Sequence, residues 1–401
     1  MKKKFTTKKS RVLIVTHKTE SFVRDAAIHT SKFGNQIILY GPKPGKEDLN
    51  SILKSNLKFI PTRVRSIFTL GEKIEDIFLE NPRLEMFKHF FLTFFELFRI
   101  TRKFKIDLIH AHWVLPSGFI CSLISFLMRK PLIITAHGRS IYYNPKLGKT
   151  VPQKGYVRLM YKFIFRRMSK IIAVSNYVKE VIISRGVSSS KIKLIYNGTN
   201  LSQFNPEIKG DEIKSKLNLQ NTFNILAVRK LFYRKGLQYL IKAIPLALKK
   251  IPNLRLIIIG YGPFESYLKK LTKKLELQNY ILFLGRIENL NLPPYYAAAD
   301  IFAIPSLVEG FGVAAAEAMS MEIPLISTNI KGLIEVSDST NAIIVPPANE
   351  SAIVNAIIKL WQDPKLRKEL GKSGRKKILN IFNWARAAKE YNELYESLIK
   401  K

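Results

Sequence analysis

The sequence predicts an α/β protein in which two doubly wound parallel sheets each build their own domain. Three observations lead there. The chain has 401 residues and is 47% hydrophobic, enough for two separate cores. Its apolar residues fall into short uninterrupted runs, the pattern of strands buried on both faces. Helical stretches follow those runs, as the crossovers of a parallel sheet require.

Charge and cysteine content narrow the setting. Lys and Arg number 66 against 30 Asp and Glu, a net charge of +36. Such a surplus favours polyanionic neighbours: phosphate-bearing substrates, an anionic membrane surface or nucleic acid. The basic residues are spread along the whole chain and no aromatic-basic groove motif accompanies them, which speaks for membrane-surface attraction or a general cellular bias over nucleic acid. Cys121 is the single cysteine and lies in an apolar run, so a disulfide framework is excluded and a reducing compartment is expected. The basic start MKKKFTTKKS precedes an apolar run, residues 12–15, that is too short for a signal sequence. No stretch approaches the about 20 apolar residues of a spanning helix. The expectation is a cytoplasmic protein, either soluble or peripheral at the cytoplasmic membrane face.

Residues 11–16 read as the first buried strand, 21–33 as a helix stopped by Gly34, and 36–40 as the second strand. This βαβ opening places ligands at the carboxyl ends of the strands. Thr19 or Ser21 is the expected N-cap of the helix. In residues 84–98 the rings of Phe87, Phe90, Phe91, Phe94, Phe95 and Phe98 recur at helical spacing, with Lys88, His89, Thr93 and Glu96 opposite. One reading is a helix covering the amino-terminal sheet; the other is a face dipping into the lipid interface, helped by the positive charge. Residues 106–113 form a strand end carrying His110 and His112. A helix over 116–128 has Pro116 in its first turn. Strand 132–135 delivers His137 at its carboxyl end, where a histidine either faces a ligand or merely caps a turn. Strand 170–175 leads into a helix capped by Ser175 or Asn176, and 192–195 is the next strand.

The run 205–222, with Pro206 and many charges, marks a boundary. It divides the chain into a first domain, 1–205, a second, 206–382, and a last helix, 383–401. Strand 223–228 opens the second sheet and runs into Arg229, Lys230 and then Lys235-Gly236 before a helix over 237–249. Strand 254–259 ends in Gly260-Tyr261-Gly262-Pro263, strand 281–284 in Gly285-Arg286, and a helix over 290–299 precedes strand 301–304. Glu309 follows in a loop where Gly310 and Gly312 let the backbone approach a ligand. The small-residue helix 313–321 begins with free N–H groups able to hold an anion. Inside it Glu317 is a lone charge among alanines, which needs a partner or a polar pocket. A sugar ring plus a nucleotide diphosphate fits this arrangement; so does a helix with one solvent-facing Glu and an acid favoured by the helix dipole. Strand 324–327 and helices up to 379 complete the second sheet.

The stretch from Glu309 to Glu317, EGFGVAAAE, resembles the E-x7-E signature of retaining glycosyltransferases of the GT4 type (glycosyl transferases group 1). The likeness covers nearly the whole chain. It includes residues 107–112, His137-Gly138, the strand from Lys170, Asn197-Gly198 with Phe204, residues 229–236 against G-R-L-x-x-x-K-G, the G-x-G-P turn at 260–263, Gly285-Arg286, and residues 329–335. The chain departs from the family at several points. Thr19-Glu20-Ser21-Phe22 replaces a Gly-Gly pair, Lys230 stands at the family's Arg and Arg229 at its Gly, Arg139 and Ser140 follow His137 where Asp is common, Asn200 replaces an Asp, and Glu322 a Gly.

The resemblance implies a GT-B fold, two Rossmann-like domains facing a central cleft, with a last helix that returns to the first. It implies transfer of a hexose-type sugar from a nucleotide diphosphate donor to an acceptor hydroxyl, with retention, in cell-envelope glycan or glycolipid synthesis. Glu309, His137 and Lys235 are the implied catalytic residues. Donor binding falls to Arg229, Lys230, Lys235, Gly260, Gly262, Arg286, Glu309, Phe311, Gly312, Val313 and Glu317. The acceptor side falls to His110, His112 and Glu20. No Asp-x-Asp occurs, so no metal and no cofactor are expected; the partners are a nucleotide-sugar, a glycan or lipid-linked acceptor and an anionic membrane, without nucleic acid. A sugar-nucleotide epimerase on the same fold would instead turn over donor alone, and a polyanion or nucleic-acid binder would show steeply salt-dependent binding.

Overall fold

In a computed structural model of the chain, residues 9–17, 20–62, 84–137 and 155–399 are described. They form two compact units. The first holds the described residues up to Gly198 together with Trp384–Ile399; the second holds Thr199–Asn383. The chain thus changes unit ahead of the composition break at 205. Thr199 already donates its N–H to the Phe382 carbonyl at 2.8 Å, and Phe204 packs its ring on Tyr296 of the second unit.

The first unit is built on seven parallel strands, β1 (Arg11–Val15), β2 (Gln36–Gly41), β3 (Lys58–Pro61), β4 (Leu108–His112), β5 (Leu132–Ala136), β6 (Lys170–Ala173) and β7 (Ile192–Leu194), in the order β3-β2-β1-β4-β5-β6-β7. β4 and β5 are buried at every position, although His110, His112 and Thr135 interrupt their apolar residues. β3 escaped the sequence reading because its ends are exposed and it closes on a proline, so it has neither a run nor an alternation. Pro116 is not in a first helical turn: it lies in a wide turn, Val114–Gly118, and the helix is Phe119–Met128. The last helix, Trp384–Ile399, packs on helix Ser21–Ser31, and Trp384, Tyr391 and Tyr395 enter the same core as Val12, Ile14 and Leu108.

The second unit has six parallel strands, β8 (Phe223–Val228), β9 (Leu254–Ile259), β10 (Ile281–Phe283), β11 (Ile301–Ile304), β12 (Leu325–Thr328) and β13 (Ala342–Val345), in the order β10-β9-β8-β11-β12-β13. Its core joins Ile225, Leu256 and Ile301 of the sheet to Leu240, Ile244 and Ala247 of helix Leu237–Leu248. The chain runs from β8 outward to β9 on one side and from β11 outward to β12 on the other. The loops after β8 and β11 therefore part at the carboxyl edge and leave a crevice, the place where open α/β sheets bind ligands. In the first unit the same reversal falls between β1 and β4.

Candidate active site

Of the sequence-predicted residues, Glu309, Arg229 and Lys235 meet at that reversal. Arg229 leaves β8; Ser306 and Glu309 follow β11. Arg229 Nη2 donates to Ser306 Oγ at 2.7 Å and to Glu309 Oε1 at 2.8 Å. Lys235 Nζ donates to Glu309 Oε2 at 2.5 Å. The Arg229 side chain is only 2% exposed, and its Nε and Nη1 are buried with no hydrogen-bond partner. Buried donors of a cation are costly to leave unmet, so these two are open to an anion or water.

Burial by itself raises the Glu309 carboxyl, but Lys235 and Arg229 outweigh it and hold the group down to about 2. Lys235 moves the other way. Burial pulls its ammonium down, Glu309 pushes it back up, and Arg229 and Arg234 repel it, leaving it at about 7. The carboxylate is thus firmly ionised while the lysine holds its proton weakly.

Two glycines set this geometry by close backbone packing. A Cβ on Gly332 would stand 1.8 Å from the Glu309 carbonyl oxygen, so the residue lets helix Lys331–Ile334 back directly onto the Glu309 loop. Gly260 has φ +144°, and a Cβ there would stand 1.7 Å from the Arg229 carbonyl oxygen. Its smallness serves the passage of one loop over another.

Glu317 has the partners its isolation in sequence demanded. On helix Val313–Ser320 it is buried, accepts the Tyr296 hydroxyl at 2.8 Å through Oε2, and accepts Asn289 Nδ2 at 3.2 Å through Oε1. Gln203 Nε2 in turn donates to the Asn289 backbone and side-chain oxygens at 2.7 and 2.9 Å. The rings of Phe204 and Phe302 lie 5.5 Å from that of Tyr296. Burial, then Glu317, pushes the Tyr296 hydroxyl well above its ordinary value, so it stays a donor. Sequence reasoning missed Tyr296, Asn289, Gln203 and Ser306. None of them stands in the quoted motifs, and only the demand that Glu317 find a donor could have prompted a search.

The remaining donor-side residues are placed unevenly. Gly312 is the left-handed N-cap of the Glu317 helix, and Val313 begins it with an N–H that has no intrahelical acceptor. Phe311 is buried, its ring 5.4 Å from Phe382, so only its backbone is available at the helix start. Lys230 is half-buried, and Arg229 is bonded to Glu309. Gly262 presses on Leu231 as Gly260 does on Arg229. Arg286 is exposed, its guanidinium 5.3 Å above the Tyr261 ring.

In the first unit, β1, β4 and β5 bring His17, His112 and His137 together. His112 Nδ1 and His137 Nε2 are 2.9 Å apart in near-parallel rings, and Trp113 and Phe22 lie 4.8 and 4.7 Å from the His137 ring. Burial, then His110, His137 and His17, pushes His112 well below the usual imidazole range. Its Nε2 is buried without a partner. His17 Nδ1 is 2.9 Å from Ser117 Oγ; the sequence reading assigned neither residue a role. His110 departs from its expected acceptor role. It is fully buried at about 3, with Nδ1 on the Tyr395 hydroxyl at 2.6 Å and Nε2 on Thr135 Oγ1 at 2.7 Å, and so ties β4 to the last helix. Glu20, not Ser21, holds the N-cap position of helix Ser21–Ser31, through backbone bonds only. Thr19, Gly138, Arg139 and Ser140 lie outside the described residues.

Comparison with known proteins fits this arrangement. Residues 209–377 match the family model described as glycosyl transferases group 1, and residues 19–203 the model described as Glycosyltransferase Family 4. An uncharacterized glycosyltransferase of Methanocaldococcus jannaschii is 30% identical over 288 residues, 70% of this chain and 72% of that one. The chain belongs to the glycosyltransferase group 1 family. Another relative of this group 1 glycosyltransferase is the UDP-Gal:alpha-D-GlcNAc-diphosphoundecaprenol alpha-1,3-galactosyltransferase of Escherichia coli, 28% identical over 315 residues, 76% of this chain and 78% of that one. Among solved structures, Anabaena HepE in complex with UDP-glucose matches 97% of this chain and 100% of that one with a TM-score of 0.78 at 18% identity. That likeness shows the fold, GT-B.

Proposed function

We propose that this group 1 glycosyltransferase moves a hexose-type sugar from a nucleotide diphosphate donor to an acceptor hydroxyl, with retention at the anomeric carbon, in the synthesis of a cell-envelope glycan or glycolipid. One observation carries the reading: Arg229 and Lys235 converge on Glu309 at the strand reversal, and Arg229 keeps two buried nitrogens, Nε and Nη1, open. Fixed cations in a site of low dielectric are what a departing diphosphate needs. The start of helix Val313–Ser320 adds backbone N–H groups to the same task.

In this reading Glu309 accepts hydroxyls of the donor sugar and Glu317 those of the ribose, through lone pairs that their protein partners leave over. The bond from the anomeric carbon to the phosphate oxygen breaks, and the acceptor oxygen bonds on the same face. The acceptor proton leaves with the phosphate. On the first unit, His137 meets a sugar or acceptor hydroxyl. Arg229 and Lys235 supply the positive charge, so the transfer runs without a divalent ion. The Escherichia coli relative, named for a UDP-sugar and a diphosphoundecaprenol-linked acceptor, supports a nucleotide-sugar donor and a lipid-linked acceptor.

A panel of UDP-, GDP- and ADP-sugars tested for thermal stabilisation in the presence of EDTA decides the donor. We expect one nucleotide class to raise the melting temperature, and NMR of the product to show the donor's anomeric configuration. Silence across the whole panel, or an inverted product, overturns the proposal.

A further inference from the structure

Helix Leu84–Lys103 is oriented against its own amphipathic spacing. Its inward face holds Thr93, Leu97, Ile100 and Thr101, all buried, and Glu96 accepts the Tyr40 hydroxyl at 2.7 Å. The Thr93 hydroxyl is buried with no partner. Phe91, Leu92 and Phe95 face outward, 55%, 46% and 59% exposed, while Phe90 and Phe94 are half-buried. A polar group turned in and rings turned out both cost stability in water, and a contiguous exposed apolar patch marks an interaction surface.

The patch continues onto two neighbours. Helix Phe119–Met128 packs against both Leu84–Lys103 and Gly155–Arg167. It exposes Phe126 and Leu127, and the third helix exposes Leu159. Rings link the three: Phe91 to Phe90 at 5.8 Å, Phe90 to Phe119 at 5.7 Å, Phe119 to Phe163 at 6.2 Å and Phe163 to Phe126 at 6.4 Å. Exposed basic residues surround it, among them Arg99, Arg129, Arg158, Lys162 and Arg166. Among the described side chains of these helices the one acid is Glu96, and it is bonded to Tyr40.

We propose that this three-helix face docks on an anionic lipid bilayer, its aromatic rings in the interface and its arginines among the head groups. Apolar rings bordered by exposed cations match that medium. A second copy of the chain fits poorly, since a self-complementary contact would bring like charges together. No helix among the described residues is long and apolar enough to cross a membrane, so the face lies on the surface. The inference concerns the first unit alone and does not rest on the transfer reaction.

Flotation of the full chain tests it. We expect co-flotation with phosphatidylcholine vesicles containing about 30% phosphatidylglycerol but not with phosphatidylcholine alone. Binding should weaken at about 0.5 M salt, where the screening length falls to about 4 Å. The variant F91S/F95S should lower partitioning by about tenfold or more without lowering the melting temperature, because both rings are exposed. R158E/K162E, which removes no packing, should lower it by at least about fivefold per charge. The idea is overturned if F91S/F95S floats like wild type, if R158E/K162E keeps full binding, or if wild type ignores anionic vesicles. Dimers seen by light scattering and lost in F91S/F95S, with no flotation of either protein, would assign the face to self-association instead.

Discussion

Glu309 holds one cation on each of its oxygens, and this decides how its variants behave. Removing the carboxylate altogether leaves Arg229 buried against Ser306 alone, a change that destabilises as well as inactivates. Glu309→Gln keeps the shape and is the cleaner probe. We expect it, and Lys235→Ala, to lower kcat/KM by about a hundredfold or more while the circular dichroism spectrum is kept. Activity within a few fold of wild type in both would remove these residues from the donor site. The pH dependence has a definite sign. Lys235 is cationic below about 7, so donor affinity should fall as pH rises through 7, and Lys235→Arg should flatten that limb. The Glu309 carboxyl is depressed from 4.5 to about 2, so its contribution to stability is present above the unfolded value and lost as pH falls from there toward 2. Titrating affinity by calorimetry and melting temperature by scanning separates the two.

At the scale of elements, the short loops after β8 and β11 are held by backbone pressed on backbone. Gly332→Ala would drive a methyl into the Glu309 carbonyl, and the loop has to move. We expect kcat/KM to drop by up to about a hundredfold through displacement of the carboxylate alone, the size a misplacement of about 1 Å can cause. A Gly332→Ala enzyme with wild-type kinetics would mean the Glu309 loop tolerates repositioning. The Tyr296 hydroxyl gives a second test. Tyr296→Phe should cost about 1–3 kcal/mol of stability, read by urea unfolding, and raise KM for the donor, because a buried carboxylate oxygen loses its donor. A stability loss with unchanged KM would make the Tyr296–Glu317 bond structural only. Glu322 shows how a departure from the family acquires a meaning: it has φ +58°, a left-handed conformation that the family's glycine adopts freely.

At the scale of the molecule, the last helix completes a core that the chain began about 370 residues earlier in its first strand. Trp384 is 2% exposed, and Trp384→Ala should cost about 3–5 kcal/mol. Hydrogen exchange would show the loss in β1 and β4; faster exchange confined to β8–β13 would contradict the assignment of that helix. Much of this was legible along the chain. The unbroken apolar runs at 12–15 and 301–304 marked β1 and β11 because a strand buried on both faces is apolar throughout, and the spacing of Glu309 and Glu317 located a loop and the helix after it. Tertiary structure alone decided the rest. Arg229 rather than Lys230 turns inward because β8 adjoins β11, and no local pattern specifies which strands become neighbours. His110 is spent on Tyr395, and Glu317 is housed by Tyr296 and Asn289, through contacts with partners far away in sequence or outside any motif. Periodicity put all six phenylalanines on one face of helix Leu84–Lys103, but it cannot tell which face the sheet will cover. Local sequence determines what each segment is; long-range packing determines what each side chain meets.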